Sequence, residues 1–232
     1  MVFYLTHQGQ RISWELIRTQ RKTVEIQIHP PGLVRVRAPK GCSEDQIARL
    51  VASKADWIGE KLKEVKERTP IRRPLVPGQP FLYLGREYQL KLLSDSNPQV
   101  SLAGEQLCIS SPSFEPDYLR KLLEGWYRYE GQREIEERVA VFAPLVGKAP
   151  REIRVKEQKR RWGSCTSQGR LLFNWRCVMA PKAILDYIVV HEMCHLQQMN
   201  HSPRFWRLVG QILPDYQERR DWLREHGHRL NL

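Results

Sequence analysis

The sequence contains no CxxC pair, although five cysteines occur along it, at Cys42, Cys108, Cys165, Cys177 and Cys194. An odd number of cysteines without paired spacing argues against a disulfide framework and a cysteine-based zinc site, so we expect reduced thiols. The chain also lacks any apolar run near the roughly 18 residues that cross a bilayer. Its first residues have no apolar middle or small-residue cleavage site of a signal peptide. We therefore expect a cytoplasmic protein without membrane association.

Negative charge is scarce relative to positive charge. The 232 residues include 38 Lys and Arg against 26 Asp and Glu, which gives a formal net charge of +12. This surplus favours anionic partners, including non-specific contact with nucleic acid through a basic surface. No signature of a DNA-binding or RNA-binding fold accompanies the charge, so charge alone assigns no function.

The pattern of apolar residues predicts an α+β protein. Alternating, β-branched segments at residues 12–19, 23–30 and 33–39 predict strands. Residues 42–68 have helical spacing, with Ser43 as the N-cap. A proline-rich connector ends that helix. Two more predicted strands follow at 81–93 and 105–112, and a long helix is predicted from Pro116 to about Val146.

The character of the chain changes near residue 112. The predicted boundary separates a β-rich region with one long helix, residues 1–112, from a mostly helical region, residues 113–232. Within the second region, residues 151–165 and 169–181 predict two strands that form a hairpin. Pro181 then begins a helix that contains the most informative motif of the sequence.

Three of the seven histidines lie between His191 and His201. His191 and His195 are four residues apart, so on a helix they share one face and can bind one metal ion. Glu192 is angularly adjacent and can reach a water on that ion, which is the arrangement of an HExxH motif. The preceding apolar residues 183–190 predict a central helix, where unpaired imidazoles would lose their hydration. We therefore predict a Zn²⁺ site, or one for another divalent metal, with Glu192 as general base.

Zinc in a hydrolytic site usually takes three protein ligands and keeps one position open. His201 is the predicted third ligand, but on a continuous helix it would point about 240° away from His195. The helix must therefore end first. We predict that Asn200 ends it in the left-handed conformation, and that Ser202 and Pro203 begin the next helix.

The spacing between His195 and His201 is also that of the metzincins. Their pattern requires a glycine where this chain has Gln198, together with a methionine-containing turn further along. All four methionines precede His201, at Met1, Met179, Met193 and Met199, so this class is excluded. Asp215 and Glu218 are alternative ligands or partners of the ligands.

Residues 160–165, RRWGSC, form a second informative block. Gly163 allows close approach of a backbone or ligand, and Trp162 is a large anchor. An edge strand beside the metal of an HExxH peptidase pairs with extended substrate backbone, and this block is our candidate for that strand. The predicted substrate-binding residues are Arg160, Arg161, Trp162, Gly163, Ser164, Cys165 and Tyr216. Tyr216 and Arg176 are both candidates for stabilising the oxyanion.

The segments RWGSC, NWR, YIVVHEMCHLQQMNHSPRFW and PDYQERRDWL, in this order, closely resemble the YgjP-like metallopeptidase family, which is distantly similar to SprT-like proteins. The resemblance is dense over residues 150–225. It implies a zincin-like helical core within 113–232, with the hairpin or its edge strand beside the HExxH helix. It further implies His191, His195 and His201 as metal ligands, Glu192 as the catalytic glutamate, and 162–165 as the family's signature segment.

Three functions follow from these observations. The leading hypothesis is a zinc-dependent metallopeptidase that acts on a peptide or protein with metal-activated water. The first alternative is a nucleoside triphosphate hydrolase, because residues 151–170 hold seven basic and two acidic side chains and because members of the family have been linked to that activity. The second is a nucleic-acid-associated module with a structural zinc and Cys165 or Cys194 as fourth ligand. Cys194 points about 100° away from His195 on the helix, which favours a place in the core.

Overall fold

The computed structural model describes residues 2–29, 32–68, 73–158 and 161–232. The chain forms two compact units, residues 1–70 and 71–232. Each unit has its own cluster of buried apolar side chains. The α+β class is confirmed, since strands dominate the N-terminal part and helices the C-terminal part.

The first unit is a four-stranded sheet with two helices. Its elements are β1 (Val2–His7), β2 (Gln10–Thr19), β3 (Glu25–His29), β4 (Leu33–Pro39), α1 (Glu44–Ser53) and α2 (Ala55–Arg68). The strand order is β1-β2-β4-β3, and β2 and β4 are parallel. Ser43 caps α1, as predicted, and it also forms a capping box with Gln46. The single helix predicted over 42–68 is wrong, because Lys54 leaves the helical conformation between α1 and α2.

The second unit combines two sheets with four helices. Its elements are β5 (Pro80–Tyr83), β6 (Arg86–Ser94), β7 (Gln99–Ala103), β8 (Gln106–Ser111), α3 (Pro116–Val146), β9 (Glu152–Lys156), β10 (Gly163–Cys165), β11 (Arg170–Asn174), α4 (Lys182–Cys194), α5 (Pro203–Ile212) and α6 (Tyr216–His226). Two 3-10 helices, Trp175–Met179 and Gly227–Arg229, complete it. The limits of α3 agree with the predicted long helix.

The predicted hairpin is formed by β10 and β11, which pair in antiparallel fashion. The long first strand predicted over 151–165 is instead two strands, and β9 lies parallel to β11 on its other side. The second predicted strand ends early, because the Asn174 side chain accepts a hydrogen bond from Arg176 N at 3.1 Å and starts a 3-10 helix. The sheet order β10-β11-β9 leaves β10 at an edge.

The boundary predicted near residue 112 falls inside the second unit. The other sheet of that unit, in the order β5-β6-β8-β7, contributes side chains to the same core as α4, among them Phe81, Leu90, Leu107 and Ile109. The turn between β5 and β6 also contacts the start of α4. Leu84 N donates to Val178 O at 2.7 Å, and a Cβ on Gly85 would lie 2.8 Å from Pro181 Cα. The sheet β5-β6-β8-β7 therefore supports α4, the helix that contains His191.

Two further features bear on the class of protein. Within the part of the chain that the structure describes, no helix combines the length and apolar character needed to span a bilayer. The five cysteines are free thiols, and Cys108, Cys177 and Cys194 are buried.

Candidate active site

The site is built on the C-terminal end of α4. Val189, Val190 and Met193 are completely buried, which fixes the helix in the core and leaves His191 on its partly exposed side. The helix ends at Cys194, and His195 is its C-cap. The chain then turns, and this turn contains a backbone hydrogen bond between residues three apart, from Leu196 N to Met193 O at 2.9 Å.

The prediction that Asn200 adopts the left-handed conformation is wrong. Gln8 and Leu84 are the non-glycine residues with positive φ among those described. The direction of the chain changes earlier than predicted, because the turn begins directly after Cys194. His195 Nδ1 donates to Gln198 O at 2.9 Å and holds this turn. Gln198, which stands where a metzincin has glycine, thus has a structural role through its carbonyl group.

The turn brings His201 to the two helical histidines. The ring centroids of His191 and His195 are 5.1 Å apart, and that of His201 lies 5.0 Å from His191 and 4.7 Å from His195. The candidate ligand atoms of the three side chains lie within 4.8 Å of one another. Among the residues that the structure describes, His191, His195 and His201 form the group of at least three His, Cys, Asp or Glu side chains that could hold a metal ion.

The histidines present the donor atoms that a divalent metal requires. Burial, together with the neighbouring His195 and His201, lowers the pKa of His191 to about 3, and burial also lowers the pKa of His195. Both rings are therefore neutral at neutral pH. Because His195 Nδ1 donates to a carbonyl, its Nε2 carries a lone pair. His191 Nδ1 is buried with no hydrogen-bond partner among the described residues. Three imidazoles fit the ligand set of a zinc site with an open position.

Two aromatic side chains of α5 hold the histidines. Ser202 caps this helix by accepting from Phe205 N at 3.4 Å, and Pro203 follows, as predicted. The ring of Phe205 is completely buried, with its centroid 4.5 Å from His195, 4.8 Å from His201 and 5.0 Å from His191. Trp206 stacks on the exposed His201 at 5.5 Å. Phe205 was not predicted as a site residue; its signal was the aromatic pair that lies four and five residues after His201.

Glu192 lies against the start of β10. It is 7% exposed, and a Cβ on Gly163 would lie 2.5 Å from its Cγ and 2.8 Å from its Cδ. The sequence predicted that Gly163 allows close approach of a backbone or ligand, and the group that lies against it is instead the side chain of Glu192. Burial raises the pKa of Glu192 to about 8, and the positive charge of Arg161 opposes this shift.

Backbone hydrogen bonds fix the rest of the signature segment. Trp162 O accepts from Asn174 N at 2.8 Å and from Cys177 Sγ at 3.2 Å. Ser164 and Cys165 are half-buried in β10, and burial together with the nearby Glu192 raises the pKa of Cys165. Arg161 is exposed, and Arg160 lies outside the described residues.

The remaining candidates are not part of the histidine group. Arg176 donates to Glu157 at 2.5 Å and to Asn231 at 3.2 Å. Asp215 forms an ion pair with Arg219 at 2.9 Å, and Glu218 is exposed. Burial raises the pKa of Cys194 to about 12, which keeps it a neutral thiol.

Tyr216 is connected to the site through aromatic stacking. Its ring stacks on Trp206 at 5.4 Å, and Trp206 in turn stacks on His201. Tyr187, one helical turn before His191, was not predicted as a site residue, yet its ring contacts that histidine edge-on at 5.8 Å. The sequence offered no signal beyond its spacing of four residues.

Three comparisons with known proteins address the family of this chain. A comparison with curated proteins gives no significant match. Among solved structures, the metallopeptidase zymogen of Pyrococcus abyssi abylysin is similar at 20% identity and a TM-score of 0.38, covering 42% of this chain and 99% of that one. The family model for the YgjP-like metallopeptidase domain matches residues 22–226. Because that match spans most of the sequence, including the whole histidine site, the chain belongs to the YgjP-like metallopeptidase family.

Proposed function

We propose that this protein is a zinc-dependent peptidase with His191, His195 and His201 as the metal ligands and Glu192 as the general base. The observation that carries the proposal is the convergence of three imidazoles, with ligand atoms within 4.8 Å, beside a buried carboxylate on the same helix. Membership of a metallopeptidase family supports hydrolysis of a peptide bond.

Each residue of the proposed site has a distinct task. A bound Zn²⁺ supplies Lewis acidity, which lowers the pKa of water and polarises a scissile carbonyl. Glu192 accepts the proton of the attacking water at a carboxylate oxygen and later passes it to the leaving amine. Burial raises the pKa of Glu192, which makes its carboxylate a stronger base than an exposed one and suits this role.

The edge strand β10 is the proposed binding site for the substrate backbone. Gly163, Ser164 and Cys165 lie at the edge of the sheet, where an extended peptide can add a strand. Trp162 and Arg161 precede this strand and complete the proposed substrate contacts. Of the two candidates for stabilising the oxyanion, Tyr216 is favoured, because it lies in the stack on His201 whereas Arg176 is held by Glu157.

The proposal is tested by comparing wild type with Glu192→Gln on a peptide library after elemental analysis of bound metal. We expect Glu192→Gln to retain Zn²⁺ and to lose at least about 10²-fold in activity, since the general base is removed while the ligands remain. Glu225→Gln is the matched control, because this glutamate is 60% exposed on α6. Wild-type activity in Glu192→Gln would contradict the mechanism.

A second candidate is hydrolysis of a nucleoside triphosphate at the same site. Arg161 favours it, because this exposed cation acts electrostatically on Glu192 and can therefore lie near a bound phosphate. Arg154 and Arg170 support it less, since both pair with Glu152. Incubation with a nucleotide panel and Zn²⁺, Mn²⁺ or Mg²⁺ decides the matter: absence of phosphate release removes this candidate.

A further inference from the structure

A cavity of about 160 Å³ lies beside Glu192 and His191. Its other lining residues come from three elements of the second unit: Trp162 and Gly163 from the signature segment, Tyr187 and Ile188 from α4, and Leu223 from α6. The proposed general base and one proposed ligand therefore form one side of the cavity. Any group that fills it lies next to the reacting atoms.

The remaining sides of the cavity are mainly apolar. Trp162, Ile188 and Leu223 contribute hydrocarbon and indole surface, and Tyr187 contributes its ring. Apart from Glu192 and His191, the described lining residues include no carboxylate, imidazole or basic side chain. A charged group that entered would lose its hydration without a counter-charge that is free to bind it. The cavity is therefore suited to an uncharged, apolar group.

The walls of the cavity are held firmly. A Cβ on Gly227 would lie 2.9 Å from Cζ2 of Trp162, so the indole packs directly on the backbone that follows α6. Ile188 is 2% exposed and Tyr187 is 5% exposed, so both are fixed by the core. Because these walls are fixed, the cavity can select its occupant by size.

The volume indicates the size of the occupant. A cavity of about 150 Å³ in a protein interior holds one benzene molecule, which has six heavy atoms. The side chains of Leu and Met have four heavy atoms and that of Phe has seven, so all three are of suitable size. The side chain of Trp has ten heavy atoms and is the largest of the apolar candidates, and the methyl group of Ala leaves most of the volume unfilled.

We propose that this cavity is the specificity pocket of the enzyme and takes a Leu, Met or Phe side chain of the substrate next to the bond that is cut. This inference rests on the proposed peptidase function. It extends that function by naming the substrate class, a peptide with a medium-sized apolar residue at one of the two positions that flank the scissile bond.

The test uses the full-length Zn²⁺-loaded protein and a peptide that it cleaves, varied only at the two residues flanking the cut bond. At one of these positions we expect Leu, Met and Phe to give kcat/KM at least about tenfold above Ala, because each buried methylene contributes to discrimination. Asp and Trp at that position are expected to be cleaved more slowly than Leu.

Two variants of Leu223 change the cavity in opposite directions. Leu223→Phe narrows it and is expected to bring the ratio of kcat/KM for Phe and Ala peptides close to one. Leu223→Ala widens it and is expected to improve cleavage of the Trp peptide. Leu145→Phe and Leu145→Ala are matched controls, since Leu145 is 60% exposed on α3, and they should keep the wild-type ratios. Metal content is measured for every variant, so a loss of fold is separated from a change in specificity.

The outcomes separate the two proposals. Cleavage without preference at either flanking position overturns the pocket and leaves the peptidase function in place. The same holds if the folded Leu223 variants keep the wild-type ratios. If no peptide is cleaved by the metal-loaded protein, the peptidase function itself is overturned, and the pocket with it.

Discussion

Gly163 and Glu192 make the closest contact of the candidate active site. The missing side chain at position 163 leaves the space that the Glu192 carboxylate occupies, since a Cβ on this glycine would lie only 2.5 Å from Glu192 Cγ. Because Glu192 is buried, its side chain has little room to move away. Because position 163 is glycine and has no Cβ, the carboxylate of Glu192, the proposed general base, can lie at this place.

We predict that Gly163→Ala greatly reduces activity while the metal ligands stay intact. The added methyl group must displace Glu192, and misplacing a catalytic group by about 1 Å can cost on the order of 10²-fold in rate. Peptidase kinetics and metal content are measured together. Gly125→Ala is the control, because a Cβ there meets no atom within 4 Å. Unchanged kinetics in Gly163→Ala would show that the contact has no role in positioning.

The carboxyl group of Glu157 makes the free energy of unfolding depend on pH. Trp175 Nε1 donates to its carboxylate at 2.6 Å and Arg176 at 2.5 Å. Burial acts to raise the pKa of Glu157, but these donors and the charge of Arg176 outweigh it and lower the pKa below its ordinary value of 4.5. The folded protein therefore holds this carboxyl ionised more readily than the unfolded chain does.

The stability from Glu157 should be present above pH 4.5 and lost as the pH falls through its lower folded-state pKa. We predict that Glu157→Gln lowers the free energy of unfolding at pH 7 and makes its decline under acid shallower. Urea denaturation of both proteins across this pH range measures the effect. Glu225→Gln, an exposed site, serves as the control. If the free energies of unfolding of Glu157→Gln and wild type depend on pH in the same way, Glu157 makes no such contribution to stability.

At the scale of elements, α5 supports the candidate metal site through two adjacent aromatic residues. Phe205 packs against all three histidine rings, and Trp206 covers the exposed ring of His201. Tyr216 continues the stack on the far side of Trp206. The third proposed ligand lies on a turn, so this stack, rather than a helix, limits its orientation.

We predict that Trp206→Ala weakens Zn²⁺ binding by about tenfold, because residues that orient metal ligands contribute on this scale. Competition with a chromophoric chelator measures the affinity. Trp222→Ala is a matched control, since Trp222 stacks on His226 at 4.7 Å and this histidine is outside the candidate metal group. Equal affinities for the two variants would contradict a positioning role for Trp206.

At the scale of the whole molecule, the candidate site belongs to the second compact unit. The core of residues 71–232 includes side chains of α4 and of the four-stranded sheet β5-β6-β8-β7, whereas the core of residues 1–70 is a separate cluster. The proposed catalytic region is therefore larger than the residues 113–232 that the sequence indicated. The strands β5, β6 and β8, which precede residue 112, contribute side chains to the core that contains α4.

Two truncated chains test this arrangement. A chain that begins at residue 71 keeps one complete hydrophobic core and is expected to fold and bind Zn²⁺ as the full-length protein does. A chain that begins at residue 113 loses Phe81, Leu90, Leu107 and Ile109 from that core, so it is expected to unfold. Circular dichroism and metal affinity report both results. A stable, metal-binding 113–232 chain would instead support the boundary near residue 112.

The sequence by itself determined the local features of this protein. The caps of α1 and α5 follow from the side chains of Ser43 and Ser202, and the limits of α3 follow from Pro116 at its start and Gly147 after its end. The pairing of His191 with His195 follows from the period of a helix. The strands β1 and β7, the break at Lys54 and the early end of α4 were not predicted, since each depends on contacts or hydrogen bonds that weak local preferences do not specify.

Only the tertiary structure decided how distant segments meet. Gly163 lies against Glu192, Trp162 against Gly227, and Gly85 against Pro181 because the chain packs these segments together. No local spacing encodes such contacts, and the same is true of the cavity between α4, α6 and the signature segment. The sequence determined which chemical groups are available, and the packing of the second unit decided which of them share one site.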